Sequence, residues 1–476
     1  MAPGSASESA TSTTTDSNTL VEKLFVGEFD LLKLHQLDPV AFPFLLESVA
    51  QSQHVQGIAS TVDASSDSAR FDILFAFPQK TIHLNSEQEA AQFVQSFERD
   101  FASQSVGLTN HFLPFTGGWF AYFSYDYAQV VEPTLKLPVQ QTSSLPLATV
   151  VRVPSAFVFD KADKALYMVT ELEFEQHIVA MKEAFEQCKA KALSLTPFHI
   201  VSQSEEPENK YLDGIADIKE YILSGDIFQV NLSRQWDVAL SNDDAVSVYA
   251  SLRKNNPAPF AALVDFGDWQ VISSSPERLV RYRAPWVETR PIAGTRKRSD
   301  DLEQDRVLIE ELREHPKEIA EHIMLIDLER NDLGRICQPG SVEVNELMVI
   351  ETYEHVHHIV SNVRGHLKPG ISPLEVIHAT FPGGTITGCP KVRCMEIIGE
   401  LEQMPRLAYT GSLGYINRDG SLDFNILIRT MLKQGSHIQF RAGAGIVADS
   451  IAERELMESR HKAKGLIRAL EAGETL

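Results

Sequence analysis

Apolar, strand-forming runs in this chain come in groups, with helical stretches inserted between groups rather than after every strand. A doubly wound parallel sheet needs regular strand–helix alternation, so this order predicts an α+β fold built on antiparallel sheets. Strands are predicted at 71–77, 118–123, 155–159 and 165–170, each bounded by Pro, Gly or polar turns. Further strands are predicted at 228–234, 260–264, 270–274, 286–290, 408–416, 422–432 and 438–443. Apolar periodicity predicts helices at 173–192, 211–224, 301–312, 317–330, 392–401 and 452–470. Residues 1–20 are small and polar with no period, and read as a disordered tail. The run VSQSEEPENK has no apolar face and reads as a linker at 201–210, separating an N-terminal domain (21–200) from a C-terminal domain (211–476). No internal repeat is visible.

Charge narrows the function. Lys and Arg number 43 against 65 Asp and Glu, for a net charge of −22. Such a chain repels phosphate backbones and anionic lipid, which argues against nucleic-acid and membrane-surface roles. No apolar run reaches the ~18–20 residues that span a bilayer. The first twenty residues carry neither a basic start nor an apolar stretch, so a cytoplasmic protein is expected. Cys188, Cys337, Cys389 and Cys394 form no CxxC pair, which argues against structural zinc and a disulfide scaffold.

Three groups of residues could carry chemistry. Glu318 with Glu321, and Glu455 with Glu458, are spaced i,i+3, so each pair shares a helix face. Either pair alone reads as a solvated face. Brought together, they would suit Mg²⁺, which takes carboxylates, water and substrate oxygens. The loop FPGGTITGCPKVR (Phe381–Arg393) offers backbone amides at a helix start with Lys391 and Arg393 behind, and RAGAGIV (Arg441–Val447) offers a second such turn. On a strand His358 would point away from His355 and His357, which argues against a three-histidine metal site. Thr385, Tyr409 and Arg429 are unremarkable on spacing alone. There is no GxSxG or GxCxG elbow, so the chain carries no glutaminase domain of its own.

Taken in order, seven segments resemble the chorismate-utilising enzymes: PIAGTRKR (Pro291–Arg298), HPKEIAEHIMLIDLERNDLGRIC (His315–Cys337), HHIVSNVRG (His357–Gly365), FPGGTITGCPKVRCMEII (Phe381–Ile398), YTGSLGYI (Tyr409–Ile416), LDFNILIRT (Leu422–Thr430) and RAGAGIVADS (Arg441–Ser450). FLLES (Phe44–Ser48) and GGWFAYFSYD (Gly117–Asp126) extend the likeness into the N-terminal half. The resemblance implies two facing antiparallel β-sheets flanked by helices, with chorismate in the cleft. It implies that Glu321 and Glu458 bind Mg²⁺, supported by Glu318 and Glu455. Tyr409, Arg429, the Gly443 amide and Lys462 match positions that hold the substrate's carboxylates. His358 and Thr385 would lie beside the leaving hydroxyl, which Glu277 would protonate. Leu46, Glu47 and Ser48 resemble the family's tryptophan pocket.

Two further positions separate branches of the family. Water-using members resemble one another in placing a Lys where this chain has Gln229; ammonia needs no such base, so the resemblance points to the amine-using branch. Many aminodeoxychorismate synthases carry PIKGT, with a covalent Lys where this chain has Ala293, two residues before Thr295. RFDILFAFP (Arg70–Pro78), NPAPFAALV (Asn256–Val264) and HHIVSNVRG nevertheless look like that enzyme, a subset of which has PIAGT. The resemblance thus implies amination of chorismate to 4-amino-4-deoxychorismate, towards 4-aminobenzoate and folate, with ammonia supplied by a separate glutamine amidotransferase subunit. The alternative is component I of anthranilate synthase.

Overall fold

The structure is a computed structural model, and describes residues 13–15, 18–49, 53–54, 70–109, 111–138, 145–353 and 356–476. Most of the expected tail, and His355, lie outside the described residues; within the tail, Thr13–Thr15 pairs with Leu20–Glu22.

Two sheets, wholly antiparallel, carry the fold. The larger runs from Thr13–Thr15 through Thr19–Val26, Ala165–Glu171, Ser155–Asp160, Phe71–Ala76 and Phe44–Glu47. It continues through Phe260–Asp265, Gln270–Ser275, Thr430–Gln434, His437–Ile446 and Gln229–Leu240 to Ile200–Glu205. The second is centred on Val356–His366, Trp286–Thr289, Arg278–Arg283, Leu422–Asn425, Ser412–Asn417 and Gly118–Phe123. Alternation along each strand builds three apolar layers. Phe120 and Tyr122 face the other sheet, where Phe44 stacks on Phe120 with ring centroids 4.3 Å apart. Trp119, Ala121 and Phe123 face outward into a helical layer, and Leu74 and Ala76 do the same on the far side. Sheets covered on both faces read as nearly continuous apolar runs, which is why GWFAYF shows no alternation in sequence.

Residues 201–210 are no linker. Ile200–Glu205 pairs with Trp236–Leu240, and the helix Glu208–Leu223 starts three residues later. The segment is polar because it is an edge strand with mostly exposed side chains, which needs no apolar face. The two halves also share both sheets: Phe44–Glu47 pairs with Val264–Ala261, and Gly118–Phe123 with Asn417–Ser412.

The run expected as one strand over 422–432 is two, Leu422–Asn425 and Thr430–Gln434, in different sheets. The crossing at 426–429 is where Arg429 takes a left-handed backbone, φ +51°. The strand expected over 408–416 starts only at Ser412, behind a tight turn in which Leu407 and Thr410 also have positive φ.

Candidate active site

Strand ends from both sheets, the helices Pro316–Ile336 and Ala452–Glu471, and the turn Gly384–Ile386 converge on one cleft. Gln229 opens its strand, 3% exposed, and lies over Gly445, where any Cβ would collide with its amide. Its Nε2 donates to Glu321 Oε1 at 2.8 Å, while its Oε1 is buried without a partner among the described residues. Asn231, two residues on, donates to the Thr385 carbonyl at 2.9 Å and so ties that turn to the same strand.

Glu277 sits where Gln270–Ser275 passes into Arg278–Arg283, 5% exposed. Burial pushes its carboxyl up to about 7, against the opposing pull of the Thr385 hydroxyl, the Ile292 amide, Arg429 and Lys462. Neither Glu277 Oε1 nor Thr385 Oγ1 reaches a hydrogen-bond partner among the described residues. Nearly full burial, with Arg429 nearby, lowers His358 to about 4, so its ring is neutral at pH 7. Its Nδ1 is fixed by Thr295 Oγ1 at 2.8 Å, across the strand pair that also sets Ala293 against Ile359. His357 points to the opposite face and bonds Asp305 and Thr352, as the strand alternation requires.

The cations are ready for an anion. Among the described residues the Arg429 guanidinium has no hydrogen bond or ion pair; burial lowers its pKa and nearby Glu277 opposes the shift. Tyr409 likewise keeps its hydroxyl free of protein partners. Lys462 is paired with Glu458 at 2.9 Å, both about half exposed. Gly443 packs against the Leu232 carbonyl and lies beyond Phe440, where Thr430–Gln434 stops pairing, so this stretch of its strand has one edge unpaired by any strand.

The four expected metal carboxylates are placed less tightly. Glu318 Oε1 is held by Arg296 at 2.6 Å, while its Oε2 is buried beside Gly294 without a partner among the described residues. Glu455 is 8% exposed. Among the described residues no three acidic, His or Cys side chains are gathered as a metal cluster. Mg²⁺ commonly takes one or two carboxylates and keeps its waters; Glu321 and Glu458, one on each flanking helix, are carboxylates of the kind it takes, Glu321 bonded to Gln229 and Glu458 to Lys462.

A buried ionic hub beneath Tyr409 was not foreseen from the sequence. Glu402 accepts from Arg406 at 2.6 Å, Arg441 at 2.9 Å and Ser233 at 2.8 Å. Arg406 in turn donates to the Asn231 carbonyl at 2.7 Å and the Ile386 carbonyl at 3.3 Å, and lies 5.5 Å from the Tyr409 ring centroid. One guanidinium thus fixes the Gln229 strand, the Thr385 turn and Tyr409 relative to one another. Arg406 three residues before Tyr409 was the available signal, but its partners are remote in sequence.

Leu46, Glu47 and Ser48 line a separate small pocket with Phe71, Pro259, Phe260 and Tyr415. Glu47 is bonded to Tyr249 and ion-paired with Arg253 at 3.2 Å, and burial raises its pKa to about 7. It is therefore no solvated strand end.

Comparison with known proteins identifies the family and the fold. The profile of the chorismate binding enzymes matches residues 46–468, and the chain belongs to that family. It is 43% identical over 379 residues to aminodeoxychorismate synthase component 1 of Bacillus subtilis, covering 77% of this chain and 80% of that one. It is 42% identical over 375 residues to an anthranilate synthase component I-like protein of Synechocystis, covering 78% and 76%. The crystal structure of anthranilate synthase component I from Streptococcus pneumoniae TIGR4 superposes with a TM-score of 0.73 at 29% identity, covering 87% of this chain and 95% of that one. Six further relatives, 35–46% identical, carry the name anthranilate synthase component 1, among them a Synechocystis protein at 38%. No helix among the described residues is long and apolar enough to cross a membrane.

Proposed function

We propose that this chain is a component I enzyme that replaces a ring hydroxyl of chorismate with an amino group. The observation that carries the reading is Gln229. It occupies the water-activating base's place, gives its Nε2 to Glu321, and keeps a buried Oε1 that can only accept. An ammonia N–H satisfies that acceptor, and ammonia attacks without losing a proton first. Glu277, protonated in part at neutral pH, donates to the departing hydroxyl, worth roughly 10²–10⁴-fold. Thr385 and neutral His358 orient that hydroxyl. Arg429 receives a carboxylate in a bidentate pair, with Tyr409, Lys462 and the Gly443 amide beside it. Glu321 and Glu458 would hold Mg²⁺, backed by Glu318 and Glu455; the ion would offset carboxylate charge in a very acidic protein. Ammonia would come from a separate glutamine amidotransferase subunit, in the cytoplasm.

Of two products, anthranilate has the broader support. Most of the relatives carry that enzyme's name, and Ala293, 6% exposed, supplies no covalent lysine. The second reading, 4-amino-4-deoxychorismate for folate synthesis, rests on the Bacillus relative and on the segments at 70–78 and 256–264. Purified chain with chorismate, Mg²⁺ and ammonium salt decides. Fluorescent anthranilate with equimolar pyruvate establishes the first reading; an aminated ring that keeps its enolpyruvyl group establishes the second. Unconsumed chorismate would refute both. The pocket at Leu46–Ser48 is proposed to take tryptophan, with Glu47, itself ion-paired with Arg253, in its wall.

A further inference from the structure

A second buried carboxyl lies behind the site with no role in the chemistry above. Glu329, on the helix Pro316–Ile336, is 6% exposed and has no ion pair among the described residues; its polar neighbour is the Thr289 hydroxyl. Its neighbours are those of Glu277. Glu329 Oε1 packs on Gly384, and Glu277 lies by the next residue, Thr385. The Thr289 hydroxyl lies beside Glu329, and the Ile292 amide, on the same short segment, beside Glu277. Thr289 Oγ1, Thr385 Oγ1 and Glu277 Oε1 are all buried without partners among the described residues. Three such atoms set beside two carboxyls make a polar chain from Glu329 to Glu277, in which a buried water would complete the hydrogen bonds.

The path has an outer end. Asp332, on the same helix face as Glu329, is bonded to Lys391 at 2.5 Å and to the half-exposed Arg335 at 3.1 Å. Leu328, Asp332, Arg335 and Lys391 line an open groove of about 840 Å³ on the outside of the molecule.

The proposed amination would use such a path. Ammonia's nitrogen lone pair forms the new C–N bond, and the C–O bond breaks with its electrons leaving on oxygen. That oxygen takes the Glu277 proton and departs as water. The new ammonium group keeps its own three protons at neutral pH, and Gln229 cannot carry one. Glu277 is left ionised in its buried position, one proton short. We propose that Glu329 returns that proton, through the Thr289 and Thr385 hydroxyls and the water they hold, and is itself recharged from the groove past Asp332 and Lys391. Glu329 acts through Glu277 and touches no substrate, and the inference rests on the amination reading. Its burial beside Asp332 and Glu277, offset in part by Lys391 and the Thr289 hydroxyl, pushes it up to about 8, so it holds a proton at neutral pH.

The test is Glu329→Gln, which keeps shape and loses the transferable proton. With chorismate, Mg²⁺ and ammonium at pH 7.5, its kcat is expected to fall at least fivefold while KM for chorismate stays within twofold. Imidazole buffer at rising concentration and fixed pH should restore kcat in the variant and leave the parent unmoved. Thr289→Val should show the same buffer dependence if Glu329→Gln folds poorly. A variant with full kcat, or a deficit that no buffer concentration repairs, would overturn the relay. Parent enzyme that consumes no chorismate would instead overturn the amination reading.

Discussion

Replacing Glu277 by Gln should trade turnover for stability, and the structure sets both magnitudes. The unfolded carboxyl titrates near its ordinary 4.5, the folded one near 7. Because the folded value is the higher, this carboxyl's contribution to the parent's stability is greatest below 4.5 and falls as pH rises, until it levels off above about 7. At about 1.4 kcal/mol per pH unit the loss across that window is about 3 kcal/mol. Gln carries no such penalty, so the variant should match the parent at pH 4.5 and exceed it by about 3 kcal/mol at pH 8. With an unfolding entropy of about 1 kcal/mol per kelvin for a chain this long, that is about 3 °C in Tm. Turnover should fall roughly 10²–10⁴-fold, and the parent's kcat should itself decline above pH 7 as Glu277 ionises. Thermal unfolding of both proteins from pH 5 to 8, beside chorismate consumption, reads both effects. A Tm difference that does not grow with pH, or a variant keeping a tenth of its turnover, would refute the assignment of a buried, proton-donating Glu277.

Glu321→Gln and Glu458→Gln should each cut turnover at least 100-fold at limiting Mg²⁺, measured by titrating the metal; unchanged Mg²⁺ dependence would remove these residues from the ion. Gln229→Lys places an ammonium within reach of Glu321 and a base beside the nucleophile, so a hydroxylated product should appear by chromatography as aminated product declines. Glu402→Gln leaves Arg406 and Arg441 buried with no carboxylate between them, at a cost of about 3–5 kcal/mol, or about 3–5 °C in Tm. A smaller shift would mean that water reaches the hub.

The site was legible where its residues sit inside contiguous motifs. Thr385, Tyr409 and Arg429 lie within segments quoted from the sequence, and Thr295 and His358 lie in two more, which the structure pairs as neighbouring strands. The edge strand at 200–205 was illegible because an edge needs no apolar pattern. The break in 422–432 was illegible because ILIR reads as unbroken strand, and only the reversed backbone of Arg429 shows where the chain changes sheets. Glu329 looks like a solvated residue within LERND, and nothing but its burial marks it out. Glu402 and Ser233 are 169 positions apart, and no local pattern announces such a partner.

The hub and the strained turns explain why a half that supplies no reacting group is built into both sheets. Gln403, Leu407, Thr410 and Arg429 all hold left-handed backbones, each costing of order 1–3 kcal/mol unless its surroundings leave no alternative. The surroundings here come from both halves. Asp126 accepts from the Leu407 amide at 2.9 Å, the Tyr125 amide donates to the Leu407 carbonyl at 2.8 Å, and the Arg406 guanidinium lies 4.8 Å from the Tyr125 ring centroid. From the other side Thr410 donates to the Leu427 carbonyl at 2.7 Å, joining the Tyr409 turn to the crossing that carries Arg429. The N-terminal half therefore acts on the cleft through backbone geometry. It holds the turn that aims Tyr409, and through the Thr410–Leu427 bond it bears on the angle at which Arg429 enters.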